Sequence, residues 1–437
     1  MGRIIQTILF SAVASGIAIA SAHAGGFAIR EQSAQGQGSS FAGAAAGGAG
    51  LGSMFWNPAI ITQYNGWQSQ SNATLILPDA KVQLNSTIPA LVPPGGSSSG
   101  TITDGAFVPA SYMSYQLNDK LWLGFSVNSR FGLVTKYPFN GGWQTAARTS
   151  KVFSVSFNPT IAYKVNQFLS VAVGLNVEYF KVRLTGATGP LPNDPSLILG
   201  GDSWALGYTL GATLTPAPGT TIGIGYRSAT RPNLEGAVTN FAPFGPGNTN
   251  GIRSNISLPQ QVTIGLRQRI TPTFTLLAGL EWTNWKSFNS FPVSSTGPLA
   301  PGAALAPLAL NFGWRDGWFA SVGGEYQWDE KITLRSGVGY EWSPVSNATR
   351  GLRLPDASRW WLSAGLSYKW SEKLTIDVGY THLFIPVVPI NVAPGNPTFN
   401  PFVGVQYFGE ARAHFDIISV GLNYKFGGRA APVFAKY

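Results

Sequence analysis

The chain has 437 residues, of which only 11% are charged, whereas a soluble domain carries about 25% charged residues. Its 53 glycines and 30 prolines argue against a protein built from long helices, and its 44% hydrophobic content excludes a disordered chain. The net charge of +10 comes from scattered basic residues, which fit contact with anionic lipid headgroups or attraction of anionic substrates, and the class that remains is a large β-protein or a membrane β-barrel.

The first 24 residues have the pattern of a secretory signal peptide. Arg3 provides the basic start, residues 4–20 form an uncharged apolar run, and Ala22-His23-Ala24 matches an A-x-A cleavage site. An uncleaved membrane anchor is the alternative, but the small residues that follow the apolar run favour cleavage. The sequence therefore predicts export from the cytoplasm and a mature chain that starts at Gly25.

Residues 25–65 differ from the rest of the chain. They are rich in Gly, Ala, Ser and Gln, and only Arg30 and Glu31 among them are charged. This composition is typical of a flexible linker. The segment nevertheless holds large aromatic residues that favour packing against a partner surface. These are Phe27, Phe41, Phe55 and Trp56.

From about residue 66 onward, apolar and polar residues alternate with a period of two, as expected for half-buried strands. In residues 358–371, one face carries large apolar side chains and the other carries mainly Ser, Gly and Lys. The apolar faces end in aromatic residues, and the runs are long enough to cross about 25 Å of apolar membrane when tilted. A soluble sandwich would need a second sheet to cover this much apolar surface, so the pattern favours an outer-membrane barrel.

Fourteen such runs can be counted along the chain. They span roughly 66–84, 105–118, 120–136, 150–166, 168–185, 202–216, 219–233, 253–271, 273–289, 315–328, 331–345, 358–371, 373–388 and 411–426. Six short turns alternate with seven long loops, the latter near 85–104, 137–149, 186–201, 234–252, 290–314, 346–357 and 389–410. This asymmetry is typical of periplasmic turns and extracellular loops, and an even strand number puts both chain ends on the short-turn side. The alternation is poorest in the first two runs.

The sequence thus predicts an all-β fold, a fourteen-stranded antiparallel transmembrane β-barrel. Closure removes every unpaired strand edge, as a lipid environment demands. Fourteen strands enclose a wide lumen that would leak if it were empty, so the non-periodic N-terminal segment is the natural plug. The predicted division is a signal peptide (1–24), an N-terminal hatch (25–65), the barrel (66–426) and a C-terminal extension (427–437), which is either a periplasmic tail or part of the assembly signal.

Four segments give the chain a resemblance to a known family, the FadL family of outer-membrane transporters for long-chain fatty acids and other hydrophobic compounds. The first is Gly26-Phe27 with the small-residue run and Asn57-Pro58-Ala59, which resembles the family's hatch and its N-P-A motif. The others are Ser129-Arg130-Phe131-Gly132 in the third run, Gly313-Trp314-Arg315-Asp316, and the series Ser343-Pro344-Val345, Leu354-Pro355-Asp356, Arg359-Trp360-Trp361 and Ile376-Asp377-Val378-Gly379-Tyr380.

The resemblance implies a transporter without an open channel. Substrate is captured among the extracellular loops, moves to a pocket inside, and leaves sideways through a gap in the wall where Ser129, Arg130, Phe131 and Gly132 kink the third strand. Asn57-Pro58-Ala59 would be a rigid element of the hatch, although Asn-Pro is also a common turn signal. Long-chain fatty acids are the first candidate substrates, and aromatic or alkane hydrocarbons are the alternative.

The same resemblance makes Lys181 and Arg183 candidates for binding a substrate carboxylate. Strict alternation puts both on the lipid side, so they either lie beside the lipid headgroups or are turned inward by a bulge. Inward-facing arginines are alternatives, and they could instead be paired with lumen carboxylates. The arginines are Arg130, Arg227, Arg267 and Arg335, and the carboxylates are Glu281, Glu325 and Glu341.

Two other classes of function fit the sequence less well. An outer-membrane lipase would need a nucleophile and a base, but outside the signal peptide only His382 and His414 could be a histidine base, and no G-x-S-x-G sequence is present. A general porin would need no hatch. With no cysteine and only two histidines outside the signal peptide, the sequence predicts no metal, no cofactor and no enzyme. The expected partners are the hydrophobic substrate, outer-membrane lipid and lipopolysaccharide, with no nucleic acid, and the expected state is a monomer.

Overall fold

The structure is a computed structural model that describes residues 25–88, 98–102, 104–189, 193–240, 248–296, 308–401 and 403–426. Within these ranges, 21 antiparallel strands form one sheet. They are β1 (Trp67–Ile88), β2 (Ser99–Thr101), β3 (Ala106–Gln116), β4 (Leu121–Asn128), β5 (Gly132–Lys136), β6 (Thr149–Lys164), β7 (Leu169–Ala187), β8 (Ser196–Ala217), β9 (Thr220–Arg227), β10 (Asn233–Asn240), β11 (Asn248–Asn255), β12 (Gln261–Arg269), β13 (Phe274–Thr283), β14 (Ser290–Ser295), β15 (Leu308–Asn311), β16 (Gly317–Gln327), β17 (Ile332–Trp342), β18 (Arg359–Lys369), β19 (Leu374–Phe384), β20 (Val388–Val392) and β21 (Gln406–Lys425).

These 21 elements form a closed barrel of fourteen wall strands. Six of the fourteen are interrupted once and count as two elements each, namely β4/β5, β9/β10, β11/β12, β13/β14, β15/β16 and β19/β20, while β2 is a short addition beside β1. The barrel closes where β1 pairs with β21, from Gln68 opposite Lys425 to Ile88 opposite Gln406. The predicted fourteen-stranded barrel is confirmed, including its first two strands.

The alternation of side chains explains why the sequence folds into this shape. Along β18, Trp361 and Ser363 are buried, whereas Trp360 and Leu362 are more than half exposed on the outer surface. The outer face is therefore apolar and the inner face polar, as a lipid-embedded barrel requires. The Tyr340 ring contacts those of Trp342 and Trp360 on that outer face, and the three rings form part of an aromatic belt.

The strands extend further on the long-loop side than the sequence indicates. Three regions that were predicted as loops (234–252, 290–314 and 389–410) contain β10, β14, β15, β20 and parts of β11 and β21. The apolar residues of these strands face inward, such as Phe291 and Val293 in β14 and Ile390 in β20, and the strands are short, so they lack the outward apolar pattern of a lipid-facing strand. Backbone pairing, which the sequence pattern does not record, holds them in the sheet.

The N-terminal segment fills the lumen, as predicted. It contains the short helix α1 (Ala34–Gln37) and 3₁₀ turns at Ala44–Ala46, Gly50–Phe55 and Pro58–Gln63, and a further 3₁₀ turn lies at Trp285–Ser287 between β13 and β14. Its apolar side chains form a core with inward-facing wall residues, including Phe41, Trp56, Ile60, Trp122 and Trp361. We call residues 25–65 the hatch.

Two regions named in the sequence analysis lie outside the described residues, the signal peptide (1–24) and the C-terminal extension (427–437). Among the residues that the structure does describe, none belongs to a helix with the length and apolar character needed to cross a membrane.

Candidate functional site

The barrel wall is interrupted where the third strand changes direction. β4 pairs with β6 as far as Asn128 opposite Ser156, and β5 resumes with Gly132 opposite Phe153. On its other side, β4 pairs with residues 111–116 of β3, while residues 106–110 of β3 pair only with β1. In the described part of the chain, no ladder joins this stretch of β3 to β5, and one hydrogen bond, from Lys136 N–H to the Ile102 carbonyl, crosses the interval. We call this interval the wall break.

The hatch closes the wall break from inside. Ala28 forms a β-bridge with Phe131, Ile29 N–H donates to the Arg130 carbonyl at 2.8 Å, and Gly132 N–H donates to the Phe27 carbonyl at 2.9 Å. Backbone groups that leave the wall ladder at the kink are thus paired with the hatch. Because a buried unpaired backbone group is costly, these hydrogen bonds stabilise the hatch against the kink.

Aromatic rings converge on Phe27 at this point. Its ring centroid lies 4.7 Å from that of Trp285, 5.0 Å from Phe288 and 5.5 Å from Phe131. Trp314 and Phe180 complete the group, which we call the aromatic cluster. A small cavity of about 20 Å³ adjoins it, lined by hatch and kink residues that include Arg30, Trp56, Arg130 and Phe131.

A buried ionic network ties the hatch to the wall. Both terminal nitrogens of Arg30 donate hydrogen bonds of 2.8 Å to the Glu281 carboxylate, and one of them lies 3.4 Å from Glu341. Gly25 N–H donates to Glu341 at 2.7 Å and Gly26 N–H donates to Asp356 at 3.0 Å. Asp356 and Glu341 also pair with Arg359. Three carboxylates therefore face two guanidinium groups, and cleavage before Gly25, as the sequence predicts, would add an α-ammonium as the third positive charge.

The neighbouring hatch residue Glu31 is also buried. Burial raises the pKa of its carboxyl group to about 7, because the attraction of Arg30 and hydrogen bonds from backbone N–H groups only partly offset the loss of hydration. Arg30 and Glu31 are the only charged residues of the hatch, and this network was not predicted from the sequence. The rarity of charge in the hatch was the signal that could have indicated it.

The Asn57-Pro58-Ala59 motif lies in the hatch against the wall. The Asn57 side chain accepts a hydrogen bond from Ala59 N–H at 3.0 Å and so caps the 3₁₀ turn that Pro58 begins. Its amide donates to the Ala45 carbonyl at 2.8 Å and to the Ala212 carbonyl of β8 at 2.9 Å. The motif is both a turn and a contact between hatch and wall.

Glycines in β9 allow the hatch backbone to approach the wall. A Cβ atom at Gly225 would overlap the Trp56 carbonyl. We expect Gly225→Val to destabilise hatch docking by about 1–3 kcal/mol, because overpacking forces the backbones apart. Hydrogen exchange of the hatch amides should then accelerate about tenfold. Ala73→Val, on the exposed face of β1, is the control, and equal exchange in the two variants would contradict the prediction.

The structure places the candidate ligand residues Lys181 and Arg183 on the outside of the barrel. Both side chains are exposed, whereas Phe180 and Val182 between and beside them are buried. Alternation continues through this part of β7 without a bulge, and its pairing with β6 and β8 is regular. Neither side chain faces the cavity beside the kink.

The inward-facing arginines have partners inside the lumen. Arg267 and Arg335 both pair with Glu325 at 2.9 Å, in line with the alternative that the lumen arginines pair with carboxylates. Arg130 pairs with Glu178 at 3.2 Å rather than with one of the three predicted carboxylates. Arg227 hydrogen-bonds Asn158 and the Phe55 carbonyl.

His382 and His414 lie on the outer surface. His382 Nδ1 is 2.8 Å from Asp416, and His414 is 3.9 Å from Asp79. Among the residues with a described placement, no group of three His, Cys, Asp or Glu side chains could hold a metal ion.

Comparison with known proteins agrees with this geometry. The profile of the family described as "Outer membrane protein transport protein (OMPP1/FadL/TodX)" matches residues 15–426. The "Long-chain fatty acid transport protein" of Escherichia coli O6:H1 strain CFT073 is 26% identical over 395 residues, which cover 81% of this chain and 86% of the relative.

Two solved structures share the fold. A Pseudomonas aeruginosa FadL homologue superposes with a TM-score of 0.81 at 21% identity and covers 92% of this chain and 100% of the other. The Ralstonia pickettii toluene transporter TbuX superposes with a TM-score of 0.64 at 18% identity and covers 90% and 99%. With a family match over nearly the whole barrel and hatch, the chain is a bacterial outer-membrane β-barrel that belongs to the OMPP1/FadL/TodX family of non-enzymatic transport proteins.

Proposed function

We propose that this protein takes up long-chain fatty acids or related hydrophobic compounds passively across the outer membrane. Substrate is captured among the extracellular loops, passes to the aromatic cluster, and leaves sideways through the wall break into the lipid. The observation that carries this proposal is that hatch residues 27–29 pair with the kink at the wall break. A displacement of the hatch would therefore free an opening toward the bilayer.

The route is apolar from the loops inward. An outer cluster at the extracellular end includes Tyr137, Trp143, Leu352, Ile390 and Tyr407. The aromatic cluster lies below the outer cluster. The loop between β17 and β18 contacts both clusters, because Leu352 belongs to the outer cluster and Leu354 packs against the aromatic cluster. A hydrophobic compound can follow such a path down its concentration gradient without an energy source.

One cation on this path favours a substrate that carries a carboxylate. Arg353 lies between Leu352 and Leu354, and its Nη1 makes only long hydrogen bonds of 3.2–3.5 Å to Thr185, Ser150 and Thr149. The described residues include every Asp and Glu of the chain, and none of these carboxylates has an oxygen within 4.0 Å of the Arg353 guanidinium nitrogens. Burial lowers the pKa of Arg353 to about 10, so the side chain remains charged at neutral pH.

Uptake assays test this function. In cells that lack their own hydrophobic transporter, the protein should promote uptake of labelled palmitate, and Arg353→Gln should reduce that uptake about tenfold, since a charge-assisted contact is lost. Uptake of neutral hexadecanol should be unchanged in the variant. Arg412→Gln is the matched control, because its exposed side chain faces outward and pairs with Glu410.

The alternative substrates are aromatic hydrocarbons, which the rings around Phe27 would accommodate. If the protein promotes uptake of toluene but not of palmitate, aromatic hydrocarbons replace fatty acids as the assigned substrates. Uptake of neither compound by inserted protein would contradict the proposed function.

A further inference from the structure

Three basic side chains form a group on the outer surface at the extracellular end of β6 and β7. Lys181 and Arg183 are exposed and Lys151 is half-buried, while the side chains between them point inward. Further down the same face of β7 lie Val173 and Leu175, which are among the exposed apolar residues of the outer wall. We call Lys151, Lys181 and Arg183 the basic group.

The sheet register brings these cations close together. Lys151 lies directly opposite Arg183, and Phe153 lies opposite Lys181. Directly opposed side chains in an antiparallel pair have Cβ atoms about 5 Å apart, and like charges at such positions destabilise the sheet. Both Lys181 and Arg183 repel the Lys151 ammonium. The pairing therefore has an electrostatic cost that another group must offset.

No protein carboxylate is in ion-pair contact with the basic group among the described residues. The described residues contain all 19 Asp and Glu side chains, and none has an oxygen within 4.0 Å of these three nitrogen-bearing groups. Asp202 lies opposite Lys181 in the β7–β8 register, and Glu235 next to it pairs with Arg253. Other outward cations at this end, such as Lys81 and Arg412, do have acidic partners. The basic group thus keeps an excess of positive charge.

An aromatic belt lies immediately below the basic group. Phe153 and Tyr179 have ring centroids 6.4 Å apart, and Tyr179 and Trp204 have centroids 5.2 Å apart. Aromatic side chains in an outer-membrane barrel mark the boundary between the apolar band and the headgroups. Lys181 and Arg183 follow Tyr179 at the next outward positions, so their charges stand at headgroup level rather than in open solvent.

We propose that the basic group binds the phosphate of an outer-leaflet lipid headgroup, and that a phosphate monoester is preferred over a phosphodiester. A monoester carries nearly two negative charges and three acceptor oxygens, which match three convergent cations. The aromatic belt holds the lipid chains below while the phosphate meets the cations above. Lys151 also lies opposite Val134 of β5, so the bound lipid stands beside the wall break.

This site can be tested on the full-length barrel in nanodiscs of phosphatidylcholine. The probe is diphosphoryl lipid A, and its binding is counted by native mass spectrometry. The triple substitution Lys151→Gln, Lys181→Gln and Arg183→Gln should weaken binding about 100-fold, since each cation at an anionic lipid surface contributes roughly a fivefold factor. The control variant replaces Lys120, Lys164 and Lys331, at the short-turn end, with Gln. These substitutions change the net charge by the same amount and should leave lipid A binding unaltered.

Two further arms separate the possible sources of the phosphate. Dephosphorylated lipid A should bind wild type as weakly as diphosphoryl lipid A binds the triple variant, and millimolar inorganic phosphate should not displace the lipid. Equal losses in the triple variant and the control, or displacement by inorganic phosphate alone, would overturn the proposal. Because lipid binding is read without any transport assay, the result does not depend on the proposed function.

Discussion

Replacing Gly132 with tryptophan should lower fatty-acid uptake about tenfold or more while the barrel remains folded. Gly132 is the first residue of β5 and pairs with Phe153, so its side chain would point to the outer face at the wall break. An indole ring there would occupy the path by which substrate enters the bilayer. A buried glycine at an interrupted strand leaves that space free.

The measurement is uptake of labelled palmitate, together with binding of palmitate to the purified protein. Binding should stay close to that of wild type, because the aromatic cluster and Arg353 are untouched. Val338→Trp, which adds the same ring to the outer face of β17, should leave both quantities unchanged. Normal uptake by correctly inserted Gly132→Trp protein would exclude lateral release at this break.

The barrel was predictable because lipid imposes a strict rule on each strand. Apolar and polar residues alternate from Trp360 to Trp370, and only a strand places such a sequence with one apolar and one polar face. The lengths of the turns indicated which end of the barrel is periplasmic. The even count of fourteen and the plug in the lumen followed from closure. The folded structure confirmed the strand number and the plug in the lumen. It also shows Arg267 and Arg335 paired with Glu325, which was one of the two alternatives for the lumen arginines.

The site was less predictable because it depends on contacts between distant segments. The interruption between Asn128 and Gly132 lies inside a run that reads as one continuous strand, and only its pairing with hatch residues 27–29 defines the break. Arg30 meets Glu281 across 251 residues of sequence. Arg353 sits in a loop without periodicity, and a periodic pattern carries no information about such a position.

Removal of the hatch should turn the closed barrel into an aqueous pore. Deleting residues 25–64 while keeping the signal peptide would empty a lumen now filled by side chains such as Phe41, Trp56 and Ile60. The inner wall left behind is mainly polar, so water and ions would enter. We expect planar-bilayer conductance to rise about tenfold or more over that of wild type, since fourteen strands enclose a channel-sized lumen.

A milder variant keeps this prediction testable if the deleted barrel does not assemble. Arg30→Ala leaves Glu281 buried without its ion-pair partner, which costs about 3–5 kcal/mol. That penalty should loosen the hatch and produce intermittent conductance steps. Arg412→Ala, at an exposed pair outside the lumen, should stay as closed as wild type, because a surface pair contributes little. If neither the deletion nor Arg30→Ala conducts in protein shown to be inserted, the hatch is not what seals the lumen, and the seal must lie among the extracellular loops.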